Sequence, residues 1–279
     1  MKLSPIIEMK NISYQYPDGT KTLKNISLKI DHRKKIALLG NNGAGKSTLF
    51  LHLNGILKPT SGSLYFDGVP ISYKRKEMKK LKQAVGLVLQ DPDSQLFSST
   101  VYEDIAFGPR NLGLSKEEVD QIVNQTMSDT ETDQLKDKPP HLLSIGQKKR
   151  VAIAGVVAMQ PQLIVLDEPT AGLDPYYVKR IIGVLDDLHA QGKTILLSTH
   201  NVDLAFQWAD EILIMNEGEI ISQGLPETVF MNEEILNRSH LDKPWIVEVY
   251  EQIQQSSHHK HQPFPKSKKE LYSLITERR

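Results

Sequence analysis

The sequence predicts an α/β fold with a mostly parallel sheet, and three observations support this prediction. Short apolar runs alternate along the chain with segments of helical pattern, an order typical of parallel sheets. Several of these runs are continuously apolar, as expected for strands that are buried on both faces. With 279 residues, the chain has room for one large domain, or for one domain and an appendage.

The apolar runs divide into a central sheet and a second, antiparallel layer. Four runs are predicted as buried central strands, namely residues 36–39, 85–89, 163–166 and 194–197. Four further segments are assigned to the antiparallel layer, namely residues 6–12, 26–30, 63–66 and 211–221. Residues 16–19, Tyr-Pro-Asp-Gly, form a predicted turn between two strands of that layer.

Helices are predicted between these strands. They follow Gly45 and Ser144 and cover residues 116–127 and 175–189. Ser115 directly precedes the segment at 116–127 and is a suitable N-cap for it. Residues 263–265, Pro-Phe-Pro, indicate a linker or a break before a last short helix.

The composition excludes several classes of protein. Lys plus Arg and Asp plus Glu both number 34, so no net field attracts nucleic acid or an anionic membrane. The absence of cysteine excludes disulfides and thiolate metal sites and indicates a reducing compartment.

The N-terminus lacks a signal-peptide pattern. The longest apolar stretch, residues 151–159, is far shorter than the roughly 20 residues that span a bilayer. In a membrane process, another chain would have to do the spanning.

The C-terminal segment, residues 256–279, is basic and polar, and we expect it to be less tightly folded than the rest. It contains a cluster of His258, His259 and His261. Because this cluster lies in a poorly patterned segment, we favour a solvated tail or a dimer-contact surface over a regulatory metal site.

Residues 40–47 fit the phosphate-loop pattern G-x-x-x-x-G-K-[ST] and lie between a predicted buried strand and a predicted helix, as this motif requires. Glycines let backbone N–H groups curl around phosphate oxygens, and the helix N-terminus adds positive charge. Lys46 can bridge the β- and γ-phosphates of ATP, and the Ser47 hydroxyl can bind Mg²⁺. The expected nucleotide-binding residues of this motif are Gly40, Asn41, Asn42, Gly43, Ala44, Gly45, Lys46, Ser47 and Thr48.

Two acids, Asp167 and Glu168, follow the apolar run at residues 163–166. A carboxylate at that strand end lies near the phosphate loop and can hold Mg²⁺. The adjacent Glu168 would face the γ-phosphate and could activate water as a general base. A solvated acidic turn is the alternative, which the presence of a phosphate loop disfavours.

Residues 143–147, Leu-Ser-Ile-Gly-Gln, resemble the Leu-Ser-Gly-Gly-Gln signature that distinguishes ABC ATPases among phosphate-loop proteins. Other motifs match that superfamily in order and spacing: Tyr16 the A-loop aromatic, Gln90 the Q-loop, residues 171–174 the D-loop, and His200 the switch histidine. The resemblance covers about residues 6–223. It implies a mixed central sheet, an antiparallel β layer, a helical signature subdomain and a short C-terminal helical extension.

The resemblance also implies roles around the nucleotide. Tyr16 would stack on adenine through its ring face. Gln90 would contact Mg²⁺ and the attacking water, and His200 would hydrogen-bond the γ-phosphate. The implied magnesium ligands are Ser47, Gln90 and Asp167.

The signature residues are expected to act on a second chain. Ser144, Gly146 and Gln147 would complete the ATP site of an opposite protomer, so that two head-to-tail subunits enclose two nucleotides. Asp174 would lie across the same interface. Ile145 stands where the family usually has glycine; because Ser144 and Gly146 are kept, we expect activity to survive.

Residues 90–114 resemble the ATPase subunits of energy-coupling-factor importers, and among these most of all the cobalt and nickel importers. In ABC ATPases the stretch after the Q-loop forms the groove that receives a coupling helix of the membrane subunit. An apolar groove surface flanked by acids would be formed here by Leu96, Phe97 and Val101 with Asp93 and Glu103. An ordinary helical subdomain core is the alternative, and a groove can share residues with a core.

The resemblance therefore implies an ATP-hydrolysing motor subunit that powers uptake of cobalt or nickel ions. Its expected ligands are ATP and Mg²⁺. Its expected partners are a second ABC ATPase protomer, identical or paralogous, and integral membrane transport and substrate-binding subunits, without nucleic acid. It would lie peripherally at the cytoplasmic face of the cell membrane. Residues 1–240 would form the ATPase domain, with the helical subdomain at about 91–160, and residues 241–279 a C-terminal helical extension or tail.

Three alternatives remain open from the sequence: a vitamin-type importer, a soluble ABC ATPase acting on nucleic acid, and an ATPase of an efflux or cell-division system. The soluble class is disfavoured because the chain has no long heptad pattern, no cysteine-rich insert and a single ATPase unit. Its neutral charge also disfavours a surface that follows phosphates. Only residues 90–114 argue against the efflux or cell-division class.

Overall fold

In a computed structural model, which describes residues 4–255 and 264–276, the chain folds into two β-sheets flanked by helices. The strands are β1 (Ile7–Gln15), β2 (Lys21–Ile30), β3 (Lys35–Leu39), β4 (Ser61–Phe66), β5 (Val69–Pro70), β6 (Val85–Val88), β7 (Leu163–Leu166), β8 (Thr194–Ser198), β9 (Glu211–Asn216) and β10 (Glu219–Gly224). The helices are α1 (Lys46–Leu53), α2 (Arg75–Ala84), α3 (Val101–Leu112), α4 (Lys116–Asp129), α5 (Ile145–Val157), α6 (Pro175–Ala190), α7 (Val202–Trp208), α8 (Pro226–Phe230), α9 (Glu233–Ser239), α10 (Trp245–Gln255) and α11 (Lys268–Thr276).

The six-stranded sheet contains the predicted central strands. Strands β9, β3, β8, β7 and β6 run parallel in that order, and β10 pairs antiparallel with β9 at one edge. Strands β7 and β8 are buried along their whole length, which explains why their sequences are continuously apolar. The carboxyl ends of β3, β7 and β8 therefore meet at one edge of the sheet, next to the start of α1. The predicted α/β fold with a mixed central sheet is confirmed.

The four-stranded sheet is the predicted antiparallel layer, in the order β2-β1-β4-β5. In its central strand, Ile7 lies opposite Ile30 on one side and Phe66 on the other. The predicted turn at residues 16–19 is present, with the Gly19 N–H donating to the Tyr16 carbonyl at 2.9 Å. The buried face of this layer shares a hydrophobic core with α1.

The segment at residues 211–221 does not belong to the antiparallel layer, and that part of the prediction was wrong. Its first part is β9, which pairs parallel with β3, so that Leu213 lies opposite Leu38. Residues 212–215 are fully buried, and a run with two buried faces needs the cover that the central sheet provides. A turn with positive φ at Glu217 and Gly218 then leads into β10.

Helices α3, α4 and α5 share a hydrophobic cluster of their own, within the segment predicted as a helical subdomain. Ser115 caps α4 in a capping box, as predicted. Val101 is fully buried in this cluster, so the prediction that it lines an apolar surface was wrong. Its side chain packs inward at the start of α3, whereas Phe97 is 67% exposed and contacts the half-exposed Phe107.

The C-terminal helices pack against the main domain. Ile246, in α10, belongs to the hydrophobic cluster that contains β7 and β8. Phe264, which precedes α11, packs its ring on Phe206 with the centroids 5.6 Å apart. The histidine cluster at residues 258–261 lies outside the described residues. Across residues 4–255 and 264–276, no helix is both long enough and apolar enough to span a membrane.

Candidate functional site

The loop between β3 and α1 approaches neighbouring backbone so closely that glycine is needed at two positions. Gly40 has a φ of 152°, and a β-carbon there would lie 2.2 Å from the carbonyl oxygen of Met215 in β9. Gly45 has a φ of 105°, and its β-carbon would lie 2.7 Å from the carbonyl oxygen of Thr22 in β2. Glycine adopts such positive φ values without the steric cost that other residues meet. The loop is therefore fixed between β9 and β2.

Lys46, the first residue of α1, is buried and its side chain curls back over the loop. Its Nζ donates to the carbonyl oxygen of Gly40 at 2.5 Å and to that of Asn41 at 3.2 Å. Burial lowers the pKa of the Lys46 ammonium, whereas the charges of Glu168 and Asp167 act in the opposite direction. Because an ammonium has three donors, this group can also bind an anion held by the loop.

Asp167, directly after β7, connects the phosphate loop to β8. Its Oδ2 accepts a hydrogen bond from the Ser47 hydroxyl at 2.5 Å, and its Oδ1 accepts one from the Ser198 hydroxyl at 2.7 Å. Ser198 Oγ also accepts the backbone N–H of Glu168 at 2.8 Å. The Gln90 side chain lines the same cleft. Carboxylate, hydroxyl and amide oxygens are hard ligands, so this donor set fits Mg²⁺.

Glu168 is held in an uncommon backbone conformation and is buried. Its φ is 47°, and its carbonyl oxygen accepts a hydrogen bond from Lys149 Nζ at 2.9 Å. Its Oε1 lies 2.9 Å from His200 Nε2, but the orientation does not make a hydrogen bond, and Oε1 is a buried acceptor without a hydrogen-bond donor from the described part of the chain. Burial raises the pKa of the Glu168 carboxyl, although His200 and Lys46 act in the opposite direction. Such a carboxylate can accept a proton from a bound water.

These groups open into one cleft of about 220 Å³. Its lining residues are Thr22, Asn41, Asn42, Gly43, Gly45, Lys46, Ser47, Thr48, Gln90, Asp167, Glu168 and His200. The structure thus brings most of the predicted phosphate-loop residues together with the acids, the glutamine and the histidine predicted from later motifs. Gly40 lies beneath the cleft, where Lys46 binds its carbonyl, and Ala44 is buried.

Tyr16 lies beside the cleft without lining it. Its hydroxyl is 3.2 Å from Thr48 Oγ1, in the first turn of α1. Its ring packs edge-on against Tyr14 with the centroids 4.9 Å apart, and Tyr14 packs edge-on against the buried His52 at 4.7 Å. This aromatic row fixes the Tyr16 ring next to the residues at the start of α1.

Four predicted site residues, Ser144, Gly146, Gln147 and Asp174, lie away from the cleft of their own chain. Ser144 caps α5: its Oγ accepts the Gln147 N–H, and Gln147 Oε1 accepts the Ser144 N–H. Asp174 caps α6 by accepting two backbone N–H groups of that helix. Ser144 and Asp174 are both exposed.

Three residues of the cleft and its support were missed by sequence reasoning. Ser198 could have been found, because β7 and β8 were predicted as central strands and their ends meet at one edge. Lys149 holds the Glu168 backbone from α5, and no sequence pattern indicates this contact. Thr22 lines the cleft and has a buried Oγ1 without a hydrogen-bond partner in the described part of the chain. The position of Thr22 in β2 does not indicate that it lines the cleft.

The chain is similar to known proteins over most of its length. Residues 23–171 match the model of the ABC transporter family. The energy-coupling factor transporter ATP-binding protein EcfA of Methanocaldococcus jannaschii is 50% identical over 246 residues, which are 88% of each chain. A putative ABC transporter ATP-binding protein of Methanosarcina mazei is 47% identical over 249 residues. That alignment covers 89% of this chain and 55% of the relative, so the chain spans about half of that protein's length.

Solved structures are also similar. One is cbiO1 of Clostridium perfringens, described as part of the ABC transporter complex cbiONQ, with 45% identity and a TM-score of 0.76 over 89% of this chain and 99% of that one. Another is a dimeric ATP-binding cassette in a post-hydrolysis state bound to ADP and Pi, with 27% identity and a TM-score of 0.72. It aligns with 79% of this chain and 98% of that one.

Proposed function

Because the chain belongs to the ABC transporter family, as an ATPase subunit of the energy-coupling-factor type, we propose that it powers the uptake of cobalt or nickel ions through membrane partner subunits. Two observations support this choice of substrate. Residues 90–114 resemble the ATPases of cobalt and nickel importers. The similar protein cbiO1 is part of a cbiONQ transporter complex. A vitamin-type importer is the second candidate, because EcfA relatives are named for energy coupling without a stated substrate.

In the proposed reaction, the glycine-rich loop and Lys46 bind the phosphates of ATP. The loop residues 41–43 and 45 line one cleft together with Lys46, and a glycine-rich loop before a helix N-terminus can bind phosphate through its backbone N–H groups. Ser47, Asp167 and Gln90 would hold Mg²⁺, which neutralises phosphate charge when bound. Tyr16 would pack its ring against adenine at the edge of the cleft.

The single observation that carries the hydrolysis proposal is the buried Oε1 of Glu168 in the phosphate-binding cleft, which lies 2.9 Å from His200 Nε2 and accepts no hydrogen bond from the described residues. Glu168 would take a proton from the attacking water, because burial raises the pKa of its carboxyl. Its Oε1 also remains available as an acceptor, since no donor in the described part of the chain bonds to it. His200, whose side chain is 47% exposed, would reach the γ-phosphate from the same cleft.

The signature residues would complete the site of a second ATPase protomer, identical or paralogous. Ser144, Gly146 and Gln147 lie at the N-terminus of α5 and are not among the lining residues of this chain's own cleft. Helix N-termini attract anions, so this one suits the phosphates bound by another chain. Asp174 caps the neighbouring α6 at the surface and would lie across the same interface. A similar ATP-binding cassette has a dimeric structure, which supports this arrangement.

The proposed link to membrane subunits is the surface after Gln90. The exposed Phe97 and the half-exposed Phe107 form an edge-on ring pair there, 4.8 Å between centroids. Asp93 lies nearby and pairs with Lys148 of α5 at 2.7 Å. A coupling helix bound to this surface would be sensed by α5, which begins with the signature. The protein would thus lie peripherally on the cytoplasmic face of the membrane.

The substrate proposal is tested by isolation from membranes followed by uptake. The chain is extracted with mild detergent, and the integral subunits that co-purify are identified. Cells carrying the assembly are then supplied with labelled cobalt, nickel or a vitamin. We expect cobalt or nickel uptake that disappears in Glu168→Gln and persists in Glu217→Gln, a control in the β9–β10 turn. Vitamin uptake alone, or recovery of DNA or ribosomes in place of membrane subunits, would overturn the proposal.

A further inference from the structure

Glu131, two residues beyond α4, lies between two arginines that belong to different helices. Its carboxylate Oε2 accepts a hydrogen bond from Nε of Arg180 in α6 at 2.7 Å and a second from Nη2 of the same side chain. Its backbone carbonyl accepts Nη1 of Arg150 in α5 at 2.6 Å. The same Nη1 lies 3.5 Å from Oε2. One residue thus connects α5 and α6.

The surroundings explain why a carboxylate stands at this position. Glu131 has a φ of 53°, a conformation with a steric cost for residues other than glycine. Arg150 is only 4% exposed, and Arg180 adds a second positive charge beside it. A buried guanidinium needs a negative partner, because an unpaired buried charge is unfavourable. Glu131 provides that charge to both arginines at once.

A second contact brings the same two helices together at the signature itself. A β-carbon at Gly146 would lie 2.8 Å from the ring of Tyr177 in α6, so the two helices touch there without space for a side chain. Arg180 Nη1 also donates to the Tyr176 hydroxyl at 3.2 Å. Helices α5 and α6 are therefore joined at two places, directly at Gly146 and Tyr177 and through Glu131.

We propose that Glu131 is a positioning residue that ties the start of α5 to α6, so that Ser144 and Asp174 meet a second protomer as one rigid unit. This inference rests on the proposed two-protomer site. Glu131 and Arg180 are not among the lining residues of the nucleotide cleft, so they act through placement and not through contact with ATP. Loss of this connection lowers the fraction of chains in which α5 and α6 have the arrangement that can pair with a second protomer. ATP binding to a single chain stays unchanged.

The sharpest variant is Glu131→Gly. Glycine adopts the positive φ without strain and keeps the carbonyl that binds Arg150. What is lost is the carboxylate, which holds Arg180 and lies 3.5 Å from Arg150. Glu131→Gln keeps an acceptor oxygen, so its effect should be intermediate. Glu8→Ala is the matched control, because Glu8 also lies between two cations, the lysines at 10 and 29, but in the antiparallel sheet.

The placement itself can be measured on a single chain. Since the sequence contains no cysteine, Ile145→Cys and Asp187→Cys give two exposed thiols for spin labels, one at the start of α5 and one in α6. We expect the distribution of distances between the labels to broaden in Glu131→Gly and to keep the parent width in Glu8→Ala. An unchanged width in Glu131→Gly overturns the proposal, even if the natural second protomer is a paralogue.

The functional consequence is measured on the chain without engineered cysteines. We expect Glu131→Gly to lower kcat by about tenfold, the size typical of changes that alter coupling between sites. ATP affinity should stay within about twofold of the parent, because the cleft is untouched. A lower ATP affinity together with a lower Tm in Glu131→Gly would indicate a merely structural role and overturn the proposal.

The failure of this inference is distinguishable from failure of the proposed function. A parent chain that neither binds nor hydrolyses ATP contradicts the proposed function. A parent that hydrolyses ATP, together with an equally active Glu131→Gly, contradicts the positioning role alone.

Discussion

The phosphate-loop side and the signature side of the chain are built differently. Around Asp167 the polar atoms are buried and paired with each other, since Ser47 and Ser198 occupy both carboxylate oxygens. Around Ser144 the polar atoms are exposed, and their bonds are those of a helix cap. Groups fixed in advance and shielded from water are suited to catalysis, whereas an exposed helix N-terminus is suited to contact another molecule. We infer that one side is a nearly complete site and the other is half of an interface.

The largest expected effect lies on the phosphate-loop side, in Glu168→Gln. Loss of a general base should lower ATP turnover by about 10²–10⁴-fold, while ATP binding is retained because the amide keeps the shape of the side chain. Phosphate release and equilibrium ATP binding measure the two quantities. Glu217→Gln is the control, since Glu217 also has a positive φ, 46°, but its exposed side chain is not among the lining residues of the cleft. Turnover of Glu168→Gln at the parent rate would remove Glu168 from the reaction.

Lys46→Ala tests whether the same side binds phosphate. Its buried ammonium faces the cleft, and charge-assisted hydrogen bonds contribute about 1.5–3 kcal/mol each, so ATP affinity should fall by about a hundredfold. Titration with a fluorescent ATP analogue checks this. Lys10→Ala, which breaks an exposed ion pair in the antiparallel sheet, should bind ATP as the parent does. Normal affinity in Lys46→Ala would contradict the phosphate-loop assignment.

The pH dependence of turnover sharpens the comparison, because burial is what distinguishes the Glu168 side. The proposed hydrolysis needs ionised Glu168, and burial raises the pKa of this carboxyl above the usual 4.5. Turnover should therefore be lost as pH falls through a midpoint above 4.5. His200 lowers this pKa, so the midpoint should move to higher pH in His200→Ala, although the rate also falls. Initial rates at saturating ATP give both midpoints. Midpoints at or below 4.5 in parent and variant would contradict a buried base.

The smallest expected effects on a single chain lie on the signature side. Ser144→Ala should lower the free energy of unfolding by about 1 kcal/mol through loss of the N-cap, with unchanged ATP affinity. Ser144→Asp keeps a good cap but places a negative charge where phosphate would approach. It should keep the parent's Tm and ATP affinity and lose turnover. Weaker ATP binding by either variant as a single chain would show that the signature side contributes to ATP binding in its own chain.

Much of the fold could be predicted because its signals are local. The strands at residues 163–166 and 194–197 were found at nearly their true bounds, since a strand with two buried faces has to be apolar throughout. The same reasoning failed at residues 211–221, where periodicity alone did not reveal which sheet would cover the strand. Val101 was misplaced for a related reason: an apolar residue at a helix start can face a groove or a core, and only the packing of α3 on its neighbours decides.

The candidate site was predictable where a sequence motif follows a recognisable strand of the parallel sheet. The phosphate loop follows β3, and Asp167 and Glu168 follow β7; both strands pair with β8, so the topology of the parallel sheet brings their carboxyl ends to one edge. Lys149 and Glu131 contact their partners across long stretches of sequence, and nothing in their own neighbourhoods indicates those partners. Thr22 lines the cleft from β2, far from the phosphate loop in sequence.

Mixing two inactive variants shows whether each ATP site needs the loop of one chain and the signature of another. Lys46→Ala lacks a working loop, and Ser144→Arg blocks the signature with a bulky cation. A mixed pair contains one site in which both loop and signature are intact. We expect ATP turnover by the mixture and almost none by either variant alone. Full turnover by Ser144→Arg alone, rising linearly with protein concentration, would contradict it.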